Sequence, residues 1–412
     1  MQALVFHGWW IVGVAMLAQA VSVGLAIYSY GLLVLPIGSE LGASRMEMMW
    51  GKTGLSLMTI VVSPILGVLL DRHSTRALMI LGVLALGSAF ALISVSRSPW
   101  EFAFAFAVLP AVAMAFLGPL GTSVLVTRWF AAQRGRALSL VALGSSIGGL
   151  LIPYLFQALI DARGWRSACL WIGIAAIALL APAILVLVRN RPADLALHPD
   201  GSATASPSTV HAAPTPVEHL LRSGLFWRIA ITVGAVFAAN AALLVNLVPF
   251  AQGQGIASKQ AALLVSVFAI SGIGGKLLFG LIADRVDLKT ALVALMALQA
   301  PPMLAMGTTS AYPVMAISAA VLGMASGGLM PGWTALLARI YGPMHYGRVL
   351  GRMLPMAGIL STLIVPFVGY LFDRSGDYVT AFMFLAVLVI LATVFLAPLR
   401  HVARFAKGEV AR

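Results

Sequence analysis

The sequence contains about twelve apolar stretches that are each long enough to cross a membrane as a helix. A helix needs roughly 20 apolar residues to cross the ~30 Å hydrocarbon layer of a bilayer, and 61% of this chain is hydrophobic while only 9% is charged. Transmembrane β-strands of about ten alternating residues would give a much weaker signal. The sequence therefore predicts an all-α membrane protein. Its spans are expected near residues 9–36, 49–70, 77–95, 101–127, 137–160, 167–188, 226–250, 261–283, 290–308, 311–338, 349–372 and 379–398.

The charges of the loops predict an orientation in the membrane. The formal net charge is +13, but the cations are spread over short loops and form no basic domain of the kind that binds nucleic acid. Cytoplasmic termini put most of them on the cytoplasmic side, as the positive-inside rule requires for an even number of spans. The first apolar stretch has no small-residue cleavage site, so we expect it to remain as a span. The chain is expected to be a multi-pass protein of a cell (inner) membrane, in contact with lipid.

One cation, Lys276, lies well inside the eighth apolar stretch, and no carboxylate lies in the middle of any stretch. An ionisable group at membrane depth is costly, so it is a functional-site hypothesis by default, with an anion as its natural partner. The alternative is that the lysine stem reaches the cytoplasmic headgroups beyond Asp284, which is about 12 Å further along a helix.

The two halves of the chain repeat one another. The segment GVLLDRHSTRALMILGVLAL, which starts at Gly67, recurs as GLIADRVDLKTALVALMAL, which starts at Gly280. The position that corresponds to Lys276 in the first half is Ser63. The cation therefore belongs to one half only, which is where substrate chemistry is expected in a carrier with pseudo-symmetric halves.

The repeat predicts a division of the chain into two six-helix bundles. Residues 193–219 are rich in Pro, Ser, Thr and Ala, a composition that cannot bury enough apolar surface to order itself. The predicted parts are an N-terminal bundle at 1–190, a cytoplasmic linker at 191–222, a C-terminal bundle at 223–400 and a cytoplasmic tail at 401–412.

A charged motif lies between the second and third spans. It reads Gly67, three residues, Asp71-Arg72, three residues and Arg76, with Ser74 between them. This motif and the two six-helix halves resemble the major facilitator superfamily, whose signature is G-x-x-x-D-R-x-G-R-R/K; Ser74 replaces its second glycine. The resemblance covers essentially the whole chain and implies the major facilitator fold, with twelve transmembrane helices in two bundles that rock about a central site.

In that superfamily the Asp and Arg groups of the motif lock a helix of one half against a helix of the other in the outward-facing state. Hydrogen bonds that form in only one state bias a two-state element. The gate residues that the resemblance implies, from both copies of the motif, are Asp71, Arg72, Arg76, Asp284, Arg285 and Lys289. The alternative is that these charges only set the topology.

Three phrases resemble a narrower group, the oxalate/formate antiporter and monocarboxylate transporter branches of the superfamily. They are HGWWIV at 7–12, TRWFAAQRGRALSL at 127–140 and ARGWRSACLWIG at 162–173. In those branches an arginine in helix 8, at the place of Lys276, holds the substrate carboxylate. The resemblance and the charge argument therefore indicate the same residue.

The chain departs from those branches at two positions. Proton-coupled monocarboxylate carriers have an aspartate where this chain has Gly272, and oxalate exchangers have a second cation where it has Met353. One central charge balances a monoanion better than a dianion, because an unpaired charge in a low-dielectric cavity is costly. Arg352, beside Met353, is either a loop-side charge or a second cation that swings toward the cavity.

Other side chains are candidates for completing the cavity: Tyr28 and Tyr30 in the first span, Asn240 and Asn246 in the seventh and Trp333 in the tenth. A hydroxyl or amide can donate to a carboxylate, and an aromatic face can pack against an apolar substrate body. Each has a structural alternative. Tyr30 would be an interfacial anchor, the asparagines would bridge helices, and Trp333 would fill space.

Several other functions are disfavoured by the sequence. The glycine runs at 144–149 and 271–275 lack the context of a phosphate-binding loop and instead allow close helix packing. No catalytic constellation, metal site or cofactor motif is present, and Cys169 is expected to serve packing. We therefore expect a monomeric carrier of a small organic monoanion, with or without a coupled or exchanged ion. The alternatives are a multidrug or other small-molecule efflux carrier and a non-transporting membrane receptor.

Overall fold

The computed structural model describes residues 6–43, 45–201, 223–308, 311–342, 346–375 and 378–397. The end of the predicted linker, 202–222, and the tail, 401–412, lie outside the described residues. Within those residues every regular element is a helix. Eleven helical segments are long and apolar enough to cross a membrane, which agrees with the predicted all-α membrane fold.

The first helix of the N-terminal half includes a π-helical turn. Helix α1 (His7–Val23) continues into a π-helical turn (Gly24–Tyr28) and is followed by α2 (Tyr30–Leu41). The other helices of this half are α3 (Arg45–Arg72), α4 (Thr75–Val95), α5 (Pro99–Leu117), α6 (Pro119–Trp129) and α7 (Arg134–Leu187).

The C-terminal half repeats this order, and each of its spanning segments is a separate pass. Its helices are α8 (Gly224–Gly253), α9 (Ser258–Ile282), α10 (Leu288–Ala297), α11 (Ala300–Gly307), α12 (Tyr312–Tyr341), α13 (Tyr346–Ser375) and α14 (Val379–Leu396).

Helix α7 contains two passes. A straight helix of its 54 residues would be about 80 Å long, more than twice the ~30 Å of a hydrocarbon layer. Gly164, with φ 72° and ψ 161°, interrupts the helical conformation, because glycine without a Cβ adopts positive φ at little cost. With this break the eleven spanning segments provide the twelve predicted passes.

The chain divides into two compact units. The first contains the described residues of Met1–Val210 together with those of Pro343–Arg352, and the second contains the rest. The first two turns of α13 therefore pack with the N-terminal unit, although they follow the C-terminal spans in the sequence. The predicted domain boundaries at 190 and 222 stay predictions.

Small residues bring helix backbones together inside each unit, as the glycine runs predict. In the N-terminal unit, a Cβ at Gly144 of α7 would collide with the carbonyl oxygen of Met16 in α1. In the C-terminal unit, a Cβ at Gly275 of α9 would collide with the carbonyl oxygen of Met324 in α12. The backbone beside Lys276 is therefore fixed against α12.

The start of the linker differs from the expectation that its composition would leave it unordered. Two short 3₁₀ turns occupy Pro192–Leu195 and Pro199–Gly201. The carboxylate of Asp200 accepts hydrogen bonds from the backbone N–H groups of Ala131 (2.9 Å), Ala132 (2.8 Å) and Gln133 (3.2 Å). These groups lead into the N-terminus of α7, where negative charge is favourable. Hydrogen bonding, and not apolar burial, orders this segment.

Candidate functional site

Lys276 lies in the last two turns of the spanning helix α9 and is half-buried. It is about 9 Å along the helix from the terminal residue Ile282. Gly275, directly before it, packs against the backbone of α12. This close packing fixes the position of the lysine Cα along α12.

Asn240 joins three helices of the C-terminal unit. Its side-chain amide donates to Gln299 Oε1 at 2.9 Å and to its own helix at Val236 O at 2.8 Å, and its oxygen accepts from the hydroxyl of Ser326 at 2.5 Å. Gln299, between α10 and α11, is fully buried. The geometry favours the helix-bridging alternative for Asn240, whose donors and acceptor already have partners.

Asn246 and Trp333 have different surroundings. The amide of Asn246 donates to Ala242 O of its own helix at 2.8 Å, and the residue is half-buried. Trp333 is only 2% exposed, and its indole N–H has no hydrogen-bond partner among the described residues. Trp333 therefore fills the interior of the C-terminal unit, whereas Asn246 remains partly accessible.

The two tyrosines of the first span also differ. Tyr30 is buried, its hydroxyl donates to Met48 O, and its ring packs against Phe102 and Phe106 at centroid distances of 5.9 and 4.7 Å. Tyr28, in the π-helical turn, is 51% exposed. Tyr30 thus connects helices of the N-terminal unit, and Tyr28 is the more accessible of the two.

Lys52 is a cation near one end of a spanning segment, and it is not among the predicted site residues. It lies in α3 within the spanning segment Trp50–Arg72. Its ammonium donates to the carbonyl oxygen of Ile27 at 3.3 Å and lies 6.0 Å from the ring centroid of Tyr30. The apolar stretch predicted at 49–70 already contains this residue, which is the signal that could have found it.

Asp71 of the charged motif makes defined hydrogen bonds within the N-terminal unit. It accepts from the backbone N–H groups of Gly347 at 2.9 Å and Arg348 at 2.8 Å, at the start of α13. The Arg348 guanidinium is further away, with Nε 3.9 Å from Asp71 Oδ2. The side chain of Asp71 is 3% exposed. A carboxylate at a helix N-terminus is stabilised both by the free N–H groups and by the helix dipole.

Gly67 explains the spacing of the motif. It precedes Asp71 by one helical turn, so both residues lie on the same face of α3. A Cβ at Gly67 would collide with the carbonyl oxygen of Gly347. The glycine allows the backbone contact, and the aspartate one turn later binds the N–H groups that the contact brings near.

Two other residues of the first copy, Ser74 and Arg76, make hydrogen bonds at the loop between α3 and α4. Ser74, which replaces the signature glycine, accepts the Ala77 N–H at 3.3 Å as the N-cap of α4. The guanidinium of Arg76 donates to Leu185 O near the end of α7. Arg128, which the sequence argument did not single out, donates to Leu70 O and to the Thr75 hydroxyl, each at 2.8 Å. Arg72 is exposed.

The second copy of the motif has a different environment. Asp284 and Arg285 are exposed, and Lys289 is half-buried. Asp287 caps α10 by accepting the Thr290 N–H at 3.0 Å. Arg352, the possible second cation, is half-buried in the N-terminal unit and donates to Arg348 O at 3.3 Å. The roles predicted for these residues stay predictions.

Comparison with known proteins gives consistent matches over most of the chain. The model of the Major Facilitator Superfamily matches residues 15–301 and 229–411. Monocarboxylate transporter 11 of Mus musculus is 27% identical over 396 residues, which cover 91% of this chain and 83% of the relative. An MFS-type transporter of Aspergillus fumigatus is 25% identical over 376 residues, which cover 87% and 84%. The inner-membrane location and the cytoplasmic termini stay predictions.

Solved structures with the same fold include two transporters of different substrates. The proton:xylose symporter XylE matches with a TM-score of 0.76 and 14% identity, covering 94% of this chain and 95% of the solved one. The human organic anion transporter MFSD10 matches with a TM-score of 0.67 and 15% identity, covering 94% and 99%. At these identities the likeness establishes the fold and leaves the substrate open.

Proposed function

The chain belongs to the major facilitator superfamily of membrane transporters, and we propose that it carries a small organic monoanion whose carboxylate is bound by Lys276. The observation that carries the proposal is a half-buried lysine in a spanning helix of the second repeat. A charge at that depth is retained where a pathway or a ligand uses it. Relatives that are named monocarboxylate transporters support the class of substrate.

The charge balance favours a monocarboxylate. An ammonium and a carboxylate attract strongly where water is scarce, and each would be costly to leave unpaired. Lys276 has no counterpart in the first repeat, where Ser63 occupies the same place. The cation is thus an addition to the shared scaffold, as expected of a substrate contact.

The accessible side chains supply the other contacts in this proposal. Tyr28, Asn240 and Asn246 keep some exposed surface. Because Asn240 already bonds Gln299 and Ser326, Tyr28 and Asn246 would be the ones to donate to the second carboxylate oxygen or pack against the substrate body. Tyr30, Asn240 and Trp333 contribute through the packing of their units. Arg352 stays a candidate second cation that moves toward the substrate.

Transport proceeds in this proposal by rocking of the two repeats. The hydrogen bonds of Asp71 to the first turn of α13 belong to one state of the cycle and are lost in the other, so they bias the equilibrium between the states. Arg72, Arg76, Asp284, Arg285 and Lys289 assist the same gate. Gly272 stands where proton-coupled carriers have an aspartate, so exchange or uniport is favoured.

A binding screen followed by counterflow tests the proposal. Purified protein is screened by thermal shift against acetate, pyruvate, lactate and benzoate, with matched amides, cationic drugs and sugars as comparison ligands. A bound ligand raises the apparent stability with its occupancy. We expect the largest shifts from the acids, smaller ones from their amides, and none from the cationic drugs or sugars. Shifts from cationic drugs or sugars alone would contradict the anion proposal and favour efflux of other small molecules.

Variants of Lys276 test the anchor. Removing one partner of a buried charge pair costs about 2–5 kcal/mol, which is roughly 30-fold or more in affinity. Lys276→Ala should lose benzoate or pyruvate binding and counterflow in proteoliposomes, and Lys276→Arg should keep part of both. Arg339→Ala, which removes an exposed cation of the same unit, is the control. Normal transport by Lys276→Ala would refute the assignment, and binding without counterflow in the wild type would indicate a receptor.

A further inference from the structure

Lys52, the third residue of the spanning segment Trp50–Arg72, lies in the N-terminal unit beside a π-helical turn of the first span. One residue, Ser29, lies between the π-helical turn Gly24–Tyr28 and α2; it keeps a right-handed helical conformation (φ −92°, ψ −5°), and its N–H donates to Gly24 O at 3.0 Å, a π-type hydrogen bond. Single π-helical turns inside α-helices are rare and occur frequently at functional sites. Lys52 extends from α3 to this turn and donates to the Ile27 carbonyl.

The contacts of Lys52 are weak for a cation in this environment. Its hydrogen bond of 3.3 Å is longer than the roughly 2.7–2.9 Å typical of a charge-assisted bond, and the acceptor is a neutral carbonyl. An ammonium has three donors. Among the described residues no carboxylate forms an ion pair with Lys52.

Other cations of the same unit are held more firmly. Arg128 makes two bonds of 2.8 Å. Arg166 pairs with Glu40 at 3.0 Å and also donates to two backbone carbonyls, at 2.9 and 2.8 Å. These arginines have structural roles that account for their charge. The contacts of Lys52 leave its charge without a comparable structural role.

The surroundings of Lys52 are open to a ligand. Ile27 and Tyr28 of the adjacent turn are 41% and 51% exposed, and Lys52 itself is half-buried. An anion that approached this π-helical turn would meet an ammonium with spare donors. It would not have to displace a competing carboxylate.

We propose that Lys52, at the π-helical turn of the first span, is a second carboxylate-binding residue of the transporter. Its ammonium donates to a carboxylate oxygen of the organic anion while keeping its contact with Ile27. The inference rests on the proposed function and extends it to a residue that lies in neither copy of the charged motif.

Binding measurements on Lys52 variants test the inference. Affinities for benzoate and pyruvate, and for benzamide as a neutral analogue, are measured on purified wild type, Lys52→Met and Lys52→Arg. Methionine keeps much of the apolar stem and removes the charge. Arg97→Gln removes an exposed cation at the same end of the N-terminal helices and serves as the control for overall charge.

We expect Lys52→Met to weaken binding of the acids about 10-fold or more, as the loss of a hydrogen bond to a charged group implies. Lys52→Arg should recover most of the affinity, and Arg97→Gln should match the wild type. Binding of benzamide should be equal in all four proteins, since a structural defect would lower it as well. A Lys52→Met variant with wild-type affinity for the acids, or with equal losses for acid and amide, would overturn the inference.

The two proposals fail in distinguishable ways. If Lys276→Ala loses acid binding and Lys52→Met does not, only the role of Lys52 is refuted. If the wild type binds none of the acids, the substrate class and the role of Lys52 are refuted together.

Discussion

The carboxylate of Asp71 accepts a 2.8 Å hydrogen bond from the backbone N–H of Arg348, although 277 positions separate the two residues in the sequence. Asp71 closes the helix of the second span, and Arg348 belongs to the first turn of α13. The carboxylate thus satisfies free N–H groups of a helix that is remote in the sequence, in the way that an N-cap residue does locally.

Replacing Asp71 by asparagine should destabilise the N-terminal unit and alter transport. The amide removes the charge that complements the helix dipole, and a hydrogen bond to a charged group is worth about 1.5–3 kcal/mol. We expect a lower thermal unfolding temperature and slower counterflow. Asp161→Asn changes an exposed carboxylate and should leave both unchanged. Wild-type stability and transport in Asp71→Asn would exclude a gating role.

A methyl group at Gly67 should prevent the close approach of α3 to the start of α13. The added Cβ would collide with a backbone oxygen, that of Gly347, which cannot rotate away as a side chain can. Overpacking of this kind costs about 1–3 kcal/mol. Gly67→Ala should therefore unfold at a lower temperature. Gly13→Ala, where nothing lies within 4 Å of the new Cβ, should be neutral or stabilising; equal effects of the two changes would contradict the packing argument.

Replacing Asn240 should affect stability more than substrate affinity. Asn240→Leu leaves the buried amide of Gln299 and the hydroxyl of Ser326 without their shared partner. Polar contacts between membrane helices contribute about 0.6–2 kcal/mol. Unfolding should occur at a lower temperature while the Kd for benzoate remains within about 2-fold of wild type, in keeping with a bridge. Asn246→Leu should show the reverse pattern, and a large loss of affinity in Asn240→Leu alone would make Asn240 the substrate contact.

Glu40 should make the stability of the N-terminal unit depend on acidic pH. The indole N–H of Trp165 donates to its carboxylate at 2.5 Å and Arg166 pairs with it at 3.0 Å, and these bonds, in that order, hold the pKa of Glu40 below its ordinary value of 4.5. A group whose pKa is lower in the folded state stabilises the fold above its unfolded pKa. Its contribution is lost as the pH falls through the lowered value.

Thermal unfolding between pH 6 and pH 3 measures this effect. Wild-type protein should lose more stability below about pH 4.5 than Glu40→Gln, which cannot titrate at this position. Parallel curves for the two proteins would show that the Glu40 contacts contribute nothing to the pH dependence.

The spans and the repeat could be predicted because they depend on local properties of the chain. Apolar runs of about 20 residues report membrane helices wherever they occur, and the recurrence of the segment at Gly67 as the segment at Gly280 is visible without coordinates. The position of Lys276 inside its apolar stretch, 261–283, follows from counting residues along that stretch. The two passes of α7 are predicted in the same way, as the stretches 137–160 and 167–188, and the structure adds that the break between them is at Gly164.

The partners of the polar side chains could not be predicted in this way. Nothing near Asp71 in the sequence indicates the N–H groups of Gly347 and Arg348, and nothing near Asp200 indicates the start of α7. The same holds for the contact of Lys52 with Ile27, which places this cation beside the π-helical turn of the first span. Each of these pairings joins segments that are separated in the sequence.

By itself, the sequence determined that this protein is a helical, duplicated membrane carrier with a cation in its eighth span. Hydrophobicity and repetition are properties of the residues in order, so they can be read without knowing which residues are in contact. Only the tertiary structure decided which polar groups are already engaged and which keep free donors. Tyr30 and Asn240 have close partners, whereas among the described residues the ammonium of Lys52 donates to one carbonyl at 3.3 Å. The physical reason is that a hydrogen bond requires two groups within about 3 Å, and the packing of helices that are distant in the chain sets that distance.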